Sequence, residues 1–108
     1  DRNMLYTTLQ DFISDPSVEP FFKTDKLVKN EAEIITGEGE VLRPDRLLLD
    51  GQKVTVIDFK TGKPSGVHHR QVRKYADQLE KMGYEIDGTY LLYMTANPKC
   101  VKVNETQI

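Results

Sequence analysis

The stretch LLLDGQKVTVIDFK, residues 47–60, constrains this chain more than any other, because it reads as a hairpin. Asp50-Gly51 is a strong turn signal between two apolar runs. Side chains alternate across a strand, so Val54, Val56, Asp58 and Lys60 share one face and Thr55, Ile57 and Phe59 the other. Asp58 therefore ends an apolar run beside Lys60, and a carboxylate in such a place is costly unless a cation accompanies it.

The parity of the hairpin then places Asp45. If Asp50 and Gly51 form the loop, Asp45 falls opposite Val56 and diagonal to Asp58; if residues 50–53 form it, Asp45 faces Asp58 directly. Both registers bring the two carboxylates to one face, within roughly 5 to 8 Å. Carboxylates so close repel, and a hard divalent ion such as Mg²⁺ or Mn²⁺ resolves the repulsion with oxygen ligands and retained waters. Such an ion lowers the pKa of its water and shields charge growing on a phosphodiester, and an ammonium at Lys60 suits the same task. An isolated Asp-x-Lys triplet is commonly only a surface ion pair. Here it closes an apolar strand, with Pro44-Asp45 one hairpin upstream and a basic helix downstream.

Elsewhere, Leu5, Leu9, Phe12 and Ile13 recur at helical spacing before Asp15-Pro16, which predicts a helix over residues 3–14, with a further turn through Phe21 and Phe22. LVKNEAEIIT, VLRPDRLLL and KVTVIDF predict three consecutive strands. Val72, Tyr75, Ala76, Leu79 and Met82 form an apolar stripe, predicting an amphipathic helix over residues 68–82 that ends at Gly83. GTYLLYMT reads as a buried strand, and CVKVN, after Asn97-Pro98, as an edge strand.

With 108 residues, 38% hydrophobic and 30% charged, the chain fits one soluble globular domain. It starts without Met and reads as part of a longer protein. No apolar run suits a membrane span, and the single Cys100 excludes an internal disulfide and points to a reducing, cytoplasmic setting. A net charge of −2 argues against a general electrostatic nucleic-acid binder. Residues 59–76 are the exception, with five basic residues (Lys60, Lys63, Arg70, Arg73, Lys74), two histidines and no acid. That island suits phosphates.

RPDRLLL and VIDFKTGK, followed by HRQVRKY, resemble the PD-(D/E)XK nuclease superfamily, and more narrowly the RecB-like nuclease domains at the C-terminus of UvrD/AddA-type helicases. The matched segments run from about Glu31 to Met94. The resemblance implies an α/β, restriction-endonuclease-like αβββαβ core with a mixed central sheet flanked by helices. It implies a Mg²⁺- or Mn²⁺-dependent deoxyribonuclease acting in DNA repair, fed with single strands by linked or associated helicase motor domains. Asp45 and Asp58 would be metal ligands, the Phe59 carbonyl a third, and Lys60 the catalytic lysine. Gln71 and Tyr75 match a Gln and Tyr that support the site, and their spacing of four stacks them on one helix face. The family also carries an acidic or His ligand on an early helix, and no His precedes His68. A nuclease-like fold kept for binding without hydrolysis is the alternative.

Glu31 and Glu33 are expected to share a strand face, with Glu31 the family's recurring position. His68 and His69 point about 100° apart on a helix, too far to serve one ion readily; phosphate contact or solvent exposure are their other readings. GKPSG lacks the spacing of a nucleotide-binding loop.

Overall fold

A computed structural model describes residues 13–94 and 98–103. The predicted helix over residues 3–14 lies, apart from its last two residues, outside them. The further turn is a 3₁₀ helix, Glu19–Phe21, with Pro20 in its first positions.

Five strands form one mixed sheet: β1 (Leu27–Asn30), β4 (Arg46–Asp50), β5 (Lys53–Lys60), β6 (Glu85–Tyr93) and β7 (Lys99–Lys102), adjacent in that order. β1 pairs antiparallel with β4 and β4 with β5, β5 and β6 are parallel, and β7 is the antiparallel edge. The parallel pair requires a crossover, which α1 (Gly66–Lys81) supplies. β2 (Ile34–Ile35) and β3 (Val41–Leu42) make a separate two-stranded sheet.

The three predicted consecutive strands are thus five. LVKNEAEIIT breaks at Glu31, whose φ of 53° lies in the left-handed region. Its N–H donates to the Asp45 carbonyl at 3.0 Å, and the chain then leaves the main sheet for the small one. Glu31 and Glu33 therefore do not share a strand face; Glu33 pairs with Arg43 at 2.7 Å on the surface. VLRPDRLLL breaks at Pro44, which has no N–H to give a ladder and separates β3 from β4.

α1 starts two residues earlier than its apolar stripe predicts, because Ser65 caps it by accepting from the Val67 N–H at 3.2 Å. It stops as expected. Gly83 takes φ 100°, Tyr84 N–H bonds Leu79 O and Gly83 N–H bonds Glu80 O, closing the last turn in a Schellman motif.

The sheet is covered on both faces. Under α1, Val72, Tyr75 and Leu79 pack with Leu47, Val54, Val56, Leu91 and Tyr93. On the other face Val18, Leu48, Ile57 and Leu92 form a second cluster with Phe21, Phe22 and Phe59. The division follows the alternation expected for β5 residue by residue. Cys100 is half-buried against the second cluster, and burial raises its thiol pKa.

Candidate functional site

The β4–β5 register runs from Asp50 opposite Lys53 to Arg46 opposite Ile57, so one further step sets Asp45 across from Asp58. This is the second of the two predicted registers, although the turn itself is tight, with Gly51 at φ 62° and Gln52 at its centre. Backbone N–H groups tie both carboxylates across the strand pair. Phe59 N–H donates to Asp45 Oδ2 at 2.8 Å, and Asp45 N–H makes a long 3.4 Å contact to Asp58 Oδ1. One oxygen of Asp45 is thereby held while the group stays half-buried.

Asp58 is 3% exposed. Its Oδ2 lies 2.6 Å from Lys60 Nζ, close enough for an ion pair, yet it accepts no well-aligned hydrogen bond. The charge is balanced while the oxygen's directional valence is not. Burial, first, pushes the Asp58 carboxyl up to about 6; Lys60 pulls it down, and the neighbouring Asp45 carboxylate pushes it up again. Lys60 Nζ also donates to Gln71 Oε1 at 2.5 Å, which gives the ammonium a second anchor, on α1.

Tyr75 stands one helical turn beyond Gln71, in the core under α1 and 5% exposed. Burial raises its phenol pKa most, the negative charge of Asp58 raises it further, Gln71 lowers it and Asp45 adds a smaller upward push. Core packing and a place beside the carboxylates therefore coincide in this residue. Asp45, Asp58, Lys60, Gln71 and Tyr75 meet on one side of the sheet.

The basic island does not line one cleft. Arg70 and Lys74 flank a groove of about 410 Å³ together with Gln71, Tyr75 and Arg43. They also border a second groove, of about 330 Å³, which Arg73 and Lys81 line. Arg70, Arg73 and Lys74 thus share the second groove, three and four residues apart along α1, and only Arg70 and Lys74 also reach the first. Lys74 is moreover clamped on Glu40, at 2.6 and 2.8 Å. Lys63 is exposed in the loop before α1.

Two contributors escape the sequence reading. Arg43 joins the groove beside Gln71 only because β3 folds back towards α1. Tyr93 reads as one more apolar member of a buried strand, but its hydroxyl lies 3.0 Å from His68 Nδ1.

The donor set suits a hard cation. Asp45 and Asp58 offer oxygens from adjacent strands, and Asp58 Oδ2 is buried and accepts no well-aligned hydrogen bond, its only close cation being Lys60. Among the described residues no group of three or more His, Cys, Asp and Glu side chains gathers, so the remaining positions of such an ion would fall to backbone oxygen or water. The described residues also contain no helix long and apolar enough to cross a membrane.

No family model matches the chain, and no curated protein does. Among solved structures the chain is similar to the crystal structure of SSO0001, with 23% identity and a TM-score of 0.51 over 98% of this chain and 52% of that one. It spans about half the length of that protein, and the likeness is one of fold: a mixed α/β sheet with a crossover helix.

Proposed function

We propose that this chain is a metal-dependent DNA nuclease domain of the PD-(D/E)XK type. One observation carries the reading: Asp45 and Asp58 face each other across β4 and β5, with Lys60 on the same face, 2.6 Å from Asp58. The order β1, β4, β5, α1, β6 is compatible with the strand-rich part of an αβββαβ core, the β2–β3 hairpin being an insertion.

Asp45 and Asp58 would hold Mg²⁺ or Mn²⁺, with the Phe59 carbonyl as a third oxygen donor. Bound there, the ion supplies Lewis acidity and an acidified water. Lys60 balances the charge on Asp58 and, anchored also by Gln71, keeps its ammonium at the carboxylates, where it can stabilise negative charge developing on a phosphate. Tyr75 closes the buried side of the site and limits water there. Arg70, in the groove beside Gln71, would take the phosphates of a DNA strand, with Lys63 on the preceding loop, and Arg43 would join it by exchanging its surface ion pair with Glu33 for a phosphate. Arg73 and Lys74 belong to the same proposed footprint only in part, since Lys74 is engaged by Glu40. A role as the nuclease module of a UvrD-like helicase in DNA repair rests on the sequence resemblance, and a cytoplasmic setting on the lone Cys100.

The test is degradation of end-labelled single- and double-stranded DNA with Mg²⁺ or Mn²⁺, with EDTA as control, beside an Asp58→Ala variant. Metal-dependent cleavage lost in the variant supports the reading. A second reading, DNA binding without hydrolysis, draws on the absence of a third acidic or His side chain beside the pair among the described residues. Metal-independent binding without cleavage would select it.

A further inference from the structure

On α1 the polar side chains that face the strand ends are His68, Gln71 and Tyr75, three and four residues apart and so on a single stripe. Each meets a different part of the site. Tyr75 feels the charges of Asp58 and Asp45, Gln71 accepts from Lys60, and His68 Nδ1 lies 3.0 Å from the Tyr93 hydroxyl. Tyr93 is the register partner of Lys60 on the neighbouring strand β6, and it is 1% exposed. The last contact thus sits at the height of the lysine, one strand over and one helical turn before Gln71.

Lysine is a poor choice for a fixed charge, since its flexible four-carbon stem loses much rotamer freedom when it is held. Lys60 has two anchors, Asp58 and Gln71, and Gln71 is itself exposed, on a helix whose rotation about its axis must be set by something. The buried stripe of Val72, Tyr75, Ala76 and Leu79 sets that rotation from the second turn on, whereas the first turn has no buried residue of its own and the Ser65 cap satisfies only its backbone. The Tyr93 phenol, buried in the core cluster, is a rigid post. Its ring and that of His68 stand 5.8 Å apart at 44°, so the contact is one of packing as well as hydrogen bonding.

We infer that His68 and Tyr93 form a positioning pair for Lys60: they pin the first turn of α1 to the end of β6, which holds Gln71 where it accepts from the lysine. The inference rests on the role of Lys60 in the proposed nuclease reaction. His68 acts through Nδ1, and neither residue touches the substrate.

The experiment compares Tyr93→Phe, His68→Ala, His68→Asn and His68→Gln in the whole protein. Tyr93→Phe keeps the buried ring and removes only the hydroxyl. Tyr93→Phe and His68→Ala should each lower kcat about tenfold, as removal of an outer support does, with KM essentially unchanged. Asn places a polar atom where Nδ1 stood, so His68→Asn should recover most of the lost kcat; Gln reaches the Nε2 position instead and should not. Wild-type turnover in both Tyr93→Phe and His68→Ala overturns the pair, and so does rescue by Gln rather than Asn, which would make His68 a substrate contact. A wild-type protein that cleaves no DNA overturns the nuclease reading instead. The pair is then decided by the ¹⁵N resonance of the Lys60 ammonium, assigned by its loss in Lys60→Arg: a shift in Tyr93→Phe supports the pair, and an unmoved resonance refutes it.

Discussion

The two ends of β5 lie on the same face of the same strand under the same helix, and they are buried alike: Val54 and Val56 at 0% exposure, Asp58 at 3%. Burial has opposite consequences at the two ends. Each fully buried valine contributes about 1.5–3 kcal/mol to folding. The Asp58 carboxyl, raised from its ordinary 3.8 to about 6, opposes folding by on the order of 2–3 kcal/mol when ionised. The apolar end therefore offsets the polar end, and a fold of ordinary marginal stability can carry a site that works against it.

The largest effect should come from erasing the difference. Val56→Asp puts a third carboxylate on the face that Leu47, Tyr75 and Leu79 line, without a lysine beside it. We expect a loss of about 4 kcal/mol or more at pH 8, read by urea unfolding. Unchanged stability would mean that the apolar end tolerates charge and that the contrast is false.

Next comes Lys60→Ala. Cleavage should fall on the order of 10² or more while Mg²⁺ affinity by calorimetry is kept or improves, because a neighbouring positive charge is gone. The same change removes what pulls the Asp58 pKa down, so that pKa should rise above about 6. Wild-type turnover at saturating Mg²⁺ would leave Lys60 as an ordinary ion-pair partner.

Asp58→Asn sharpens the comparison from the other side. The folded-state pKa of about 6 stands above the ordinary 3.8, so the carboxyl costs nothing below pH 3.8 and its full cost is present above pH 6. In divalent-free buffer Asp58→Asn should thus stabilise the protein above pH 6, by on the order of 2 kcal/mol, and the gain should vanish as pH falls through 6 towards 4. Urea midpoints at pH 4 and pH 8 measure it, and an equal effect at both would remove ionisation as the cause.

The smallest effect should be at the rim. Reversing Arg43 and Arg70 together should weaken DNA binding, measured by fluorescence anisotropy in Ca²⁺, about tenfold at low salt and distinctly less at high salt. A loss independent of salt would point to a damaged fold rather than to lost phosphate contacts.

Much of this contrast is legible before folding. The strand period of two assigns Val54, Val56, Asp58 and Lys60 to one face, and the helical period places Gln71 with Tyr75. The strands of LVKNEAEIIT and VLRPDRLLL are less legible, because a positive φ at Glu31 has no local signal and VLRPDRLLL reads as one continuous strand although Pro44 divides it. The basic island shows the limit of counting charges along a chain. Lys74 belongs to it in sequence, yet Glu40, from a hairpin more than thirty positions away, holds the ammonium.

By itself, then, the chain determined which face of each element its residues occupy, because alternation and helical pitch are properties of neighbouring peptide units. It determined that Asp45, Asp58 and Lys60 share a side in any even register. Tertiary structure alone decided that Asp45 stands directly across from Asp58 and not from Val56, and that Tyr93 lies beside Lys60 through a parallel pairing. Register and parallel neighbours are settled by the packing of both sheet faces at once, where a slip of two residues keeps every side chain on its face and changes only which partners meet.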